Sequence, residues 1–549
     1  MENINIKLSN NKKFTSPAFT PAIQFLDNFE NKEQIVALRI NNEICSVLKP
    51  IRYNSFIEPV YLNTTDGSQI YRRTLCFVLG AAAKSVFPDT RLLVGHSLGH
   101  GYYYTLESGR ELKQKDLDEL CKKMKELVDA NLPITQTKIS YEDALKLFEN
   151  SNMTETARQL KYICPPSFTI NKLNDFSDLY YGPLLYSTGL LKVFELKKYG
   201  EGFLLRFPNS LDHSKLTEFE DIPKLFNIYS EYKKWGKMLG VTSASSLNEL
   251  VYKRKTKDFI DITENLQVKH IAEIADQIKN RGNVKVVLIA GPSSSGKTTT
   301  SKKLAIQLRV NGYNPKLIEL DTYYKGRDET PKDENGEYDY ECLEALDVKQ
   351  LNDDLVALFD GKEIQLPSYD FVEGKRFYSG KSIKLEENDI LVMEGIHGLN
   401  DKLTPRIPKE NKFKIYLSAL TQLNIDDHNR IATSDNRLIR RIVRDSQFRG
   451  KSAAETIKMW PSVQKGERLH IFPFQNNADA MLNTALDYEI SVLKVYAEPL
   501  LKCVSPLQAE YSEASRLLTF LHSFLPIPVT NVPGQSLIRE FVGGSDFKY

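Results

Sequence analysis

The segment VKVVLIAGPSSSGKT, residues 284–298, constrains this chain more than any other stretch. Its first seven residues form a near-continuous apolar run, the pattern of a strand buried on both faces of a parallel sheet. The next eight, Gly291 to Thr298, fit GxxxxGK[ST]. A helical pattern begins at Lys297. Such a loop turns its backbone N–H groups around a polyphosphate, which excludes bulky residues at the bends. The helix that follows points its positive end at the same place. Gly291, Ser293, Ser294, Ser295, Gly296, Lys297, Thr298 and Thr299 are therefore the expected contacts of ATP, with Lys297 reaching the β- and γ-phosphates. The Thr298 hydroxyl is the expected ligand of Mg²⁺. The bland alternative is a Gly/Ser loop before a capped helix. The strand before it and the helix after it favour the phosphate loop.

The strand pattern recurs downstream in DILVMEG and KFKIYLS, with helical stretches between. Strands alternating with helices imply a doubly wound α/β domain. Three features decide what it does with a nucleotide. LIELDTYYKG (317–326) is a strand ending at Asp321, at the edge where α/β sheets bind ligands. ILVMEGIHGL (390–399) ends a second strand at Glu394, the place for an acidic partner of Mg²⁺. NRLIRRIVRDSQFRGK (436–451) is an arginine-rich helix that spaces Arg441, Arg444 and Arg449 near one face, able to close over a transferring phosphate. Each has a plainer reading: a turn cap, a solvated strand end, an exposed or nucleic-acid-binding helix face.

In order and spacing, GPSSSGKTT, LDTYYK, LPSYDF, MEGIHGL and RRIVRDSQFRG resemble the uridine/cytidine kinase group of P-loop kinases over roughly residues 283–500. The resemblance implies transfer of the ATP γ-phosphoryl to a nucleoside 5′-hydroxyl, most simply that of uridine. It implies Asp321 as catalytic base beside Lys297, and Tyr324, Glu341, Tyr369, Phe371 and Arg441 around the acceptor. Arg444 and Arg449 become lid arginines. Two positions depart from the pattern: Gly374 where the group has histidine, and Met459 at or near a base-reading glutamine. Both bear on base choice.

The first half has its own texture. Residues 1–60 alternate in short strands (INIKL, IVALRI, EICSVL), 70–87 read as a helix, and 116–128 place Leu117, Leu120, Met124, Leu127 and Val128 on one helical face. IYRRTLCFVLGAAAKSVFPDTRLLVGHSLGHGYYY (70–104) and DLYYGPLLYSTGLLKVFEL (178–196) resemble the second, editing-type domain of threonyl-tRNA synthetases, after a ubiquitin-like module. The four metal positions implied by that resemblance carry Arg73, Phe77, Tyr180 and Leu184, none of them a zinc ligand. His96 and His100 fall elsewhere and read as structural or pocket-lining.

The expected architecture is thus α/β. A small β-grasp-like module (1–62) and an α+β synthetase-like domain (63–207) lead through a helical linker (208–282) to a P-loop kinase domain with a doubly wound parallel sheet (283–505). A C-terminal tail (506–549) ends the chain. Six scattered cysteines without CxxC spacing, no signal-like run and no span of about 18 apolar residues point to a cytoplasmic protein that does not enter membranes. The formal charge of +2 gives no global pull toward nucleic acid. Two other readings stay open: a kinase of another acceptor such as a sugar phosphate, and an RNA-binding or regulatory protein using the nucleotide fold as a switch. Homo-oligomerisation and nucleic-acid contact by the N-terminal half also stay open.

Overall fold

The computed structural model describes residues 2–107, 109–210, 212–332, 334, 336, 338–370 and 373–548. The chain forms two compact units. Unit one holds residues 1–254, 421–432 and 497–526; unit two holds 255–420, 433–496 and 527–549. Among the described residues no helix is long and apolar enough to cross a membrane.

Unit one opens with a mixed five-stranded sheet in the order Lys13–Pro17, Asn3–Leu8, Ser55–Tyr61, Ile35–Ile40, Glu43–Cys45. Strand Asn3–Leu8 runs parallel to Ser55–Tyr61 and alternates exposed and buried residues, as its sequence alternates polar and apolar ones. Ile4, Ile6 and Leu8 enter the module's core beside Phe25, Leu38 and Ile57. A 22-residue helix, Thr65–Val86, follows, capped by the Thr64 side chain. It packs with helix Gln114–Asp129 against an antiparallel sheet ordered Glu195–Tyr199, Gly202–Arg206, Gly101–Glu107, Arg91–Leu98. Leu117, Leu120, Met124, Leu127 and Val128 are all buried, as their spacing requires.

Unit two is built on a five-stranded sheet ordered Asn314–Glu319, Asp389–Glu394, Val286–Ala290, Lys412–Ser418, Ala480–Asn483, every pair parallel. The strand before the phosphate loop is central and buried throughout. Its side chains alternate between two cores. Val286 and Leu288 face Leu351, Leu355 and Leu358 of helix Val348–Phe359. Val287 and Ile289 face Leu304 and Leu308 of helix Lys297–Val310, together with Ile271, Ile274 and Ile278 of helix Thr256–Arg281. Each such burial contributes about 1.5–3 kcal/mol. The sequence places a helix near 264–280 within a helical linker (208–282); helix Thr256–Arg281 lies there, and its apolar stripe covers one face of this sheet. The carboxyl ends of three adjacent strands bring Gly291, Asp321 and Glu394 to one end of the sheet, where such folds bind ligands.

Candidate active site

The loop Gly291–Gly296 takes backbone conformations that its small residues permit. Ser294 and Gly296 have positive φ, 58° and 82°. A Cβ on Gly296 would also lie 2.5 Å from a methyl of Leu537, so both backbone and space demand glycine there. Helix Lys297–Val310 starts at once, directing its leading N–H groups into the loop. Lys297 Nζ donates to the Gly291 carbonyl at 3.2 Å, spanning the loop mouth. Thr298 Oγ1 donates to Glu394 Oε1 at 2.6 Å.

These two oxygens make a hard donor set suited to Mg²⁺, a cation that takes one or two protein oxygens and fills its shell with phosphate and water. Among the described residues no group of three or more His, Cys, Asp or Glu could hold a metal by itself. The chemistry therefore fits a metal brought in with a polyphosphate, held by Thr298 and Glu394.

The carboxylates around Lys297 show the cost of crowding. Burial raises the Glu394 carboxyl to about 7, against the opposing pull of Lys297 and the Thr298 hydroxyl. Burial also raises Asp321; Lys297 and Arg449 oppose it while Glu319 adds to it. Glu341 is pushed to about 7 by burial and by Glu467, with Arg441 and Lys297 opposing. Asp321, Glu341, Glu394, Lys297, Arg441 and Arg449 thus share one electrostatic neighbourhood. Tyr324 is buried in the same place, its ring centroid 5.7 Å from that of Tyr369, and its hydroxyl donates to the Tyr340 carbonyl at 3.1 Å. Phe371 lies outside the described residues.

Helix Thr433–Arg449 divides its arginines unevenly. Arg441 Nη1 reaches the Ser293 hydroxyl at 2.8 Å. Arg441, Arg444 and Arg449 all also face the buried Asp445, at 3.3, 2.8 and 3.6 Å. The residues that grip the loop backbone are ones the sequence reading did not single out. Arg437 donates to the Ser293 carbonyl (2.9 Å) and pairs with Glu467, both side chains buried. Arg440 donates to the Ser294 carbonyl (3.2 Å) and pairs with the buried Glu489. Glu467 also accepts from the Ser293 N–H at 3.1 Å. The signal was present: 437, 440, 441 and 444 follow the i, i+3, i+4 rule and form one stripe.

The tail also reaches the site. Glu540 accepts from the Thr299 N–H at 3.3 Å and from its hydroxyl at 2.5 Å. A phosphate takes those donors only by displacing this carboxylate. Gly374 has φ 68°, a backbone conformation that disfavours a histidine, and a Cβ there would lie 2.8 Å from Arg327 Nε, so that side chain would have to shift. Met459 is 39% exposed, with Lys451 Nζ 3.3 Å from its sulfur.

In unit one the four positions of the implied metal site do come together. Phe77 and Tyr180 meet edge to face at 5.6 Å, Leu184 is buried, and Arg73 Nη1 donates to the Pro183 carbonyl at 2.9 Å. Side-chain packing and a guanidinium fill the place. His96 is buried, its ring stacked at 5.8 Å on Tyr229, and burial pushes it down to about 3. His100 sits at φ 58° in the turn before strand Gly101–Glu107.

Comparison with known proteins finds two different likenesses along the chain. Residues 286–491 match the model of the Phosphoribulokinase / Uridine kinase family. The N-terminal half matches threonine–tRNA ligases. That of Syntrophotalea carbinolica is 30% identical over 165 residues, 30% of this chain and 26% of the ligase. Threonine–tRNA ligase 2 of Bacillus subtilis is 30% identical over 168 residues, 30% of this chain and 26% of the ligase. The chain thus spans about a quarter of the length of these relatives. A solved structure described as a possible uridine kinase from Bacillus stearothermophilus aligns over 39% of this chain and 98% of its own, at 18% identity and a TM-score of 0.24. The chain carries a phosphoribulokinase / uridine kinase family domain in its C-terminal part, after an N-terminal half similar to threonyl-tRNA synthetase.

Proposed function

We propose that unit two transfers the γ-phosphoryl of ATP to the 5′-hydroxyl of a nucleoside, uridine first among them. The observation that carries this reading is the convergence of Lys297, Glu394 and Asp321 on one sheet edge, behind the loop Gly291–Gly296. A bound Mg·ATP would supply the phosphoryl group and the neutralising cation. Thr298 and Glu394 would hold the metal. Lys297 and Arg441 supply positive charge where negative charge builds on the transferred group. Asp321 orients the acceptor hydroxyl and takes its proton. Burial raises the Asp321 carboxyl, which strengthens it as a base, and the Lys297 charge opposes the rise. Tyr324, Tyr369 and Glu341 form the wall on which a ribose and base would lie.

One observation favours an anionic acceptor such as a sugar phosphate. The Arg327 guanidinium stands against Gly374 and interacts with Tyr340 and Tyr369, placing a cation beside the acceptor wall. A panel of nucleosides and sugar phosphates offered with labelled ATP separates the two. The nucleoside reading expects ADP release to rise at least a hundredfold with one nucleoside and to stay at background with sugar phosphates. The reverse pattern gives the site to the phosphorylated acceptor.

A further inference from the structure

Among the described residues of unit one, three part-buried arginines have no counter-charge. Its other part-buried arginines each face a carboxylate: Arg39 meets Asp66 at 2.9 Å, Arg91 meets Asp427 at 2.6 Å, Arg206 meets Glu195 at 2.5 Å, and Arg516 meets Glu513 at 2.6 Å. Among the described residues no carboxylate lies within ion-pair reach of Arg72, Arg73 or Arg430.

The three lie together. The Arg72 guanidinium sits 4.7 Å above the ring of Phe207, and that of Arg430 sits 4.7 Å above the ring of Tyr102. Those two rings touch edge to face at 4.7 Å, so the guanidiniums line adjoining walls. Arg73 follows Arg72 on helix Thr65–Val86 and bears, with Arg430, on the Cys76 thiol. The Nε atoms of Arg72 and Arg430 are shut off from solvent and have no hydrogen-bond partner. So are both ring nitrogens of His213, whose ring packs 5.5 Å from Tyr71 and feels Arg72. Burial and the charge of Arg516 lower Arg73. The acids that act on the same neighbours, Tyr180 and His213, are committed elsewhere. Asp178 pairs with His428 at 2.7 Å, Asp426 accepts from Asn429, and Asp212 accepts from Ser214.

A charge withdrawn from water needs a partner, and three of one sign repel one another as well. Neighbouring arginines in the same unit obtain that partner from the chain; these three do not. Guanidinium forks with an imidazole beside them match a tetrahedral dianion, which accepts several charge-assisted hydrogen bonds at once. We propose that Arg72, Arg73, Arg430 and His213 form a second ligand site in unit one, which binds the phosphate group of a small phosphorylated metabolite. Arg73 occupies one of the positions where the synthetase resemblance implies a metal ligand, so a fixed cation stands where that resemblance implies a metal.

The test is calorimetric titration of the full chain carrying Lys297→Ala, which weakens the phosphate loop, with inorganic phosphate, pyrophosphate and AMP as probes. The expected result is one saturable site for at least one probe. Adding Arg72→Gln and Arg430→Gln should weaken it at least tenfold. The ranking of the probes identifies the source: phosphate first indicates the free ion, AMP or pyrophosphate first indicates a phosphorylated metabolite. Should the glutamine variants fail to fold, Arg72→Lys with Arg430→Lys keeps charge and bulk but loses the fork, and should still weaken the best probe several-fold. No uptake of any probe by the Lys297→Ala chain, or undiminished uptake by folded variants, overturns the proposal.

Discussion

The Glu394 carboxyl gives the account its most quantitative exposure. In the unliganded protein it titrates near 7 because burial outweighs Lys297 and the Thr298 hydrogen bond. A carboxylate must be ionised to ligate Mg²⁺, so binding Mg·ATP must expel the proton that Glu394 holds. The sign follows: a raised carboxylate pKa favours the protonated free form, and affinity is lost as pH falls through 7. At pH 6 about one-tenth of the carboxyls are ionised, and at pH 8 about nine-tenths, so apparent affinity should differ about tenfold, near 1.4 kcal/mol. Calorimetry of Mg·ATP binding in buffers of different ionisation enthalpy counts the protons. The expected release is about half a proton at pH 7 and close to one at pH 6, beyond what the nucleotide itself contributes. Glu394→Gln removes both this release and the pH slope, and binds Mg·ATP more weakly at pH 8. Equal proton release from wild type and Glu394→Gln would refute the reasoning, because the metal would then not be drawing on this carboxylate.

Two further outcomes follow from the loop's supports. Arg437 and Glu467 form a buried pair, 4% and 3% exposed, so Arg437→Met strands a carboxylate and should cost about 3–5 kcal/mol of unfolding free energy in urea titration. A change under about 1 kcal/mol would mean the pair is dispensable. Glu540 sits on the Thr299 N–H and hydroxyl, so Glu540→Gln should lower the KM for ATP several-fold, since a neutral amide competes less well with phosphate. An unchanged or higher KM would show that the tail carboxylate does not oppose the nucleotide.

Much of unit two was legible because its signals are local. The apolar run before Gly291, the glycines bounding the loop and the helix beginning at Lys297 are short-range patterns, and the structure places strand, loop and helix there. Glu394 could be found because it ends a buried strand; Asp321 instead lies two residues past the half-exposed strand Asn314–Glu319, in the short 3-10 turn Leu320–Tyr323. What escaped the sequence depends on contacts between distant residues. Arg437 and Arg440 read as members of a charged stripe; only the fold shows that they clamp the carbonyls of Ser293 and Ser294 about 145 residues away. Helix Thr256–Arg281 has the polar content of a linker, and its buried stripe acquires meaning from the sheet it covers. Residues 421–432 and 497–526 group with unit one although strands and helices of unit two flank them in sequence. No periodicity marks such a crossing. Likewise, the want of a carboxylate beside Arg72, Arg73 and Arg430 is a property of three-dimensional pairing alone.

The central claim is that Asp321 acts on the acceptor hydroxyl and not on the nucleotide. The most direct measurement compares Asp321→Asn with wild type for both Mg·ATP affinity and acceptor-dependent turnover. The account expects affinity within about threefold of wild type and turnover lowered by about 10²–10⁴-fold, the share of a general base. Turnover near the wild-type value, or a loss that appears wholly in nucleotide binding, would contradict it.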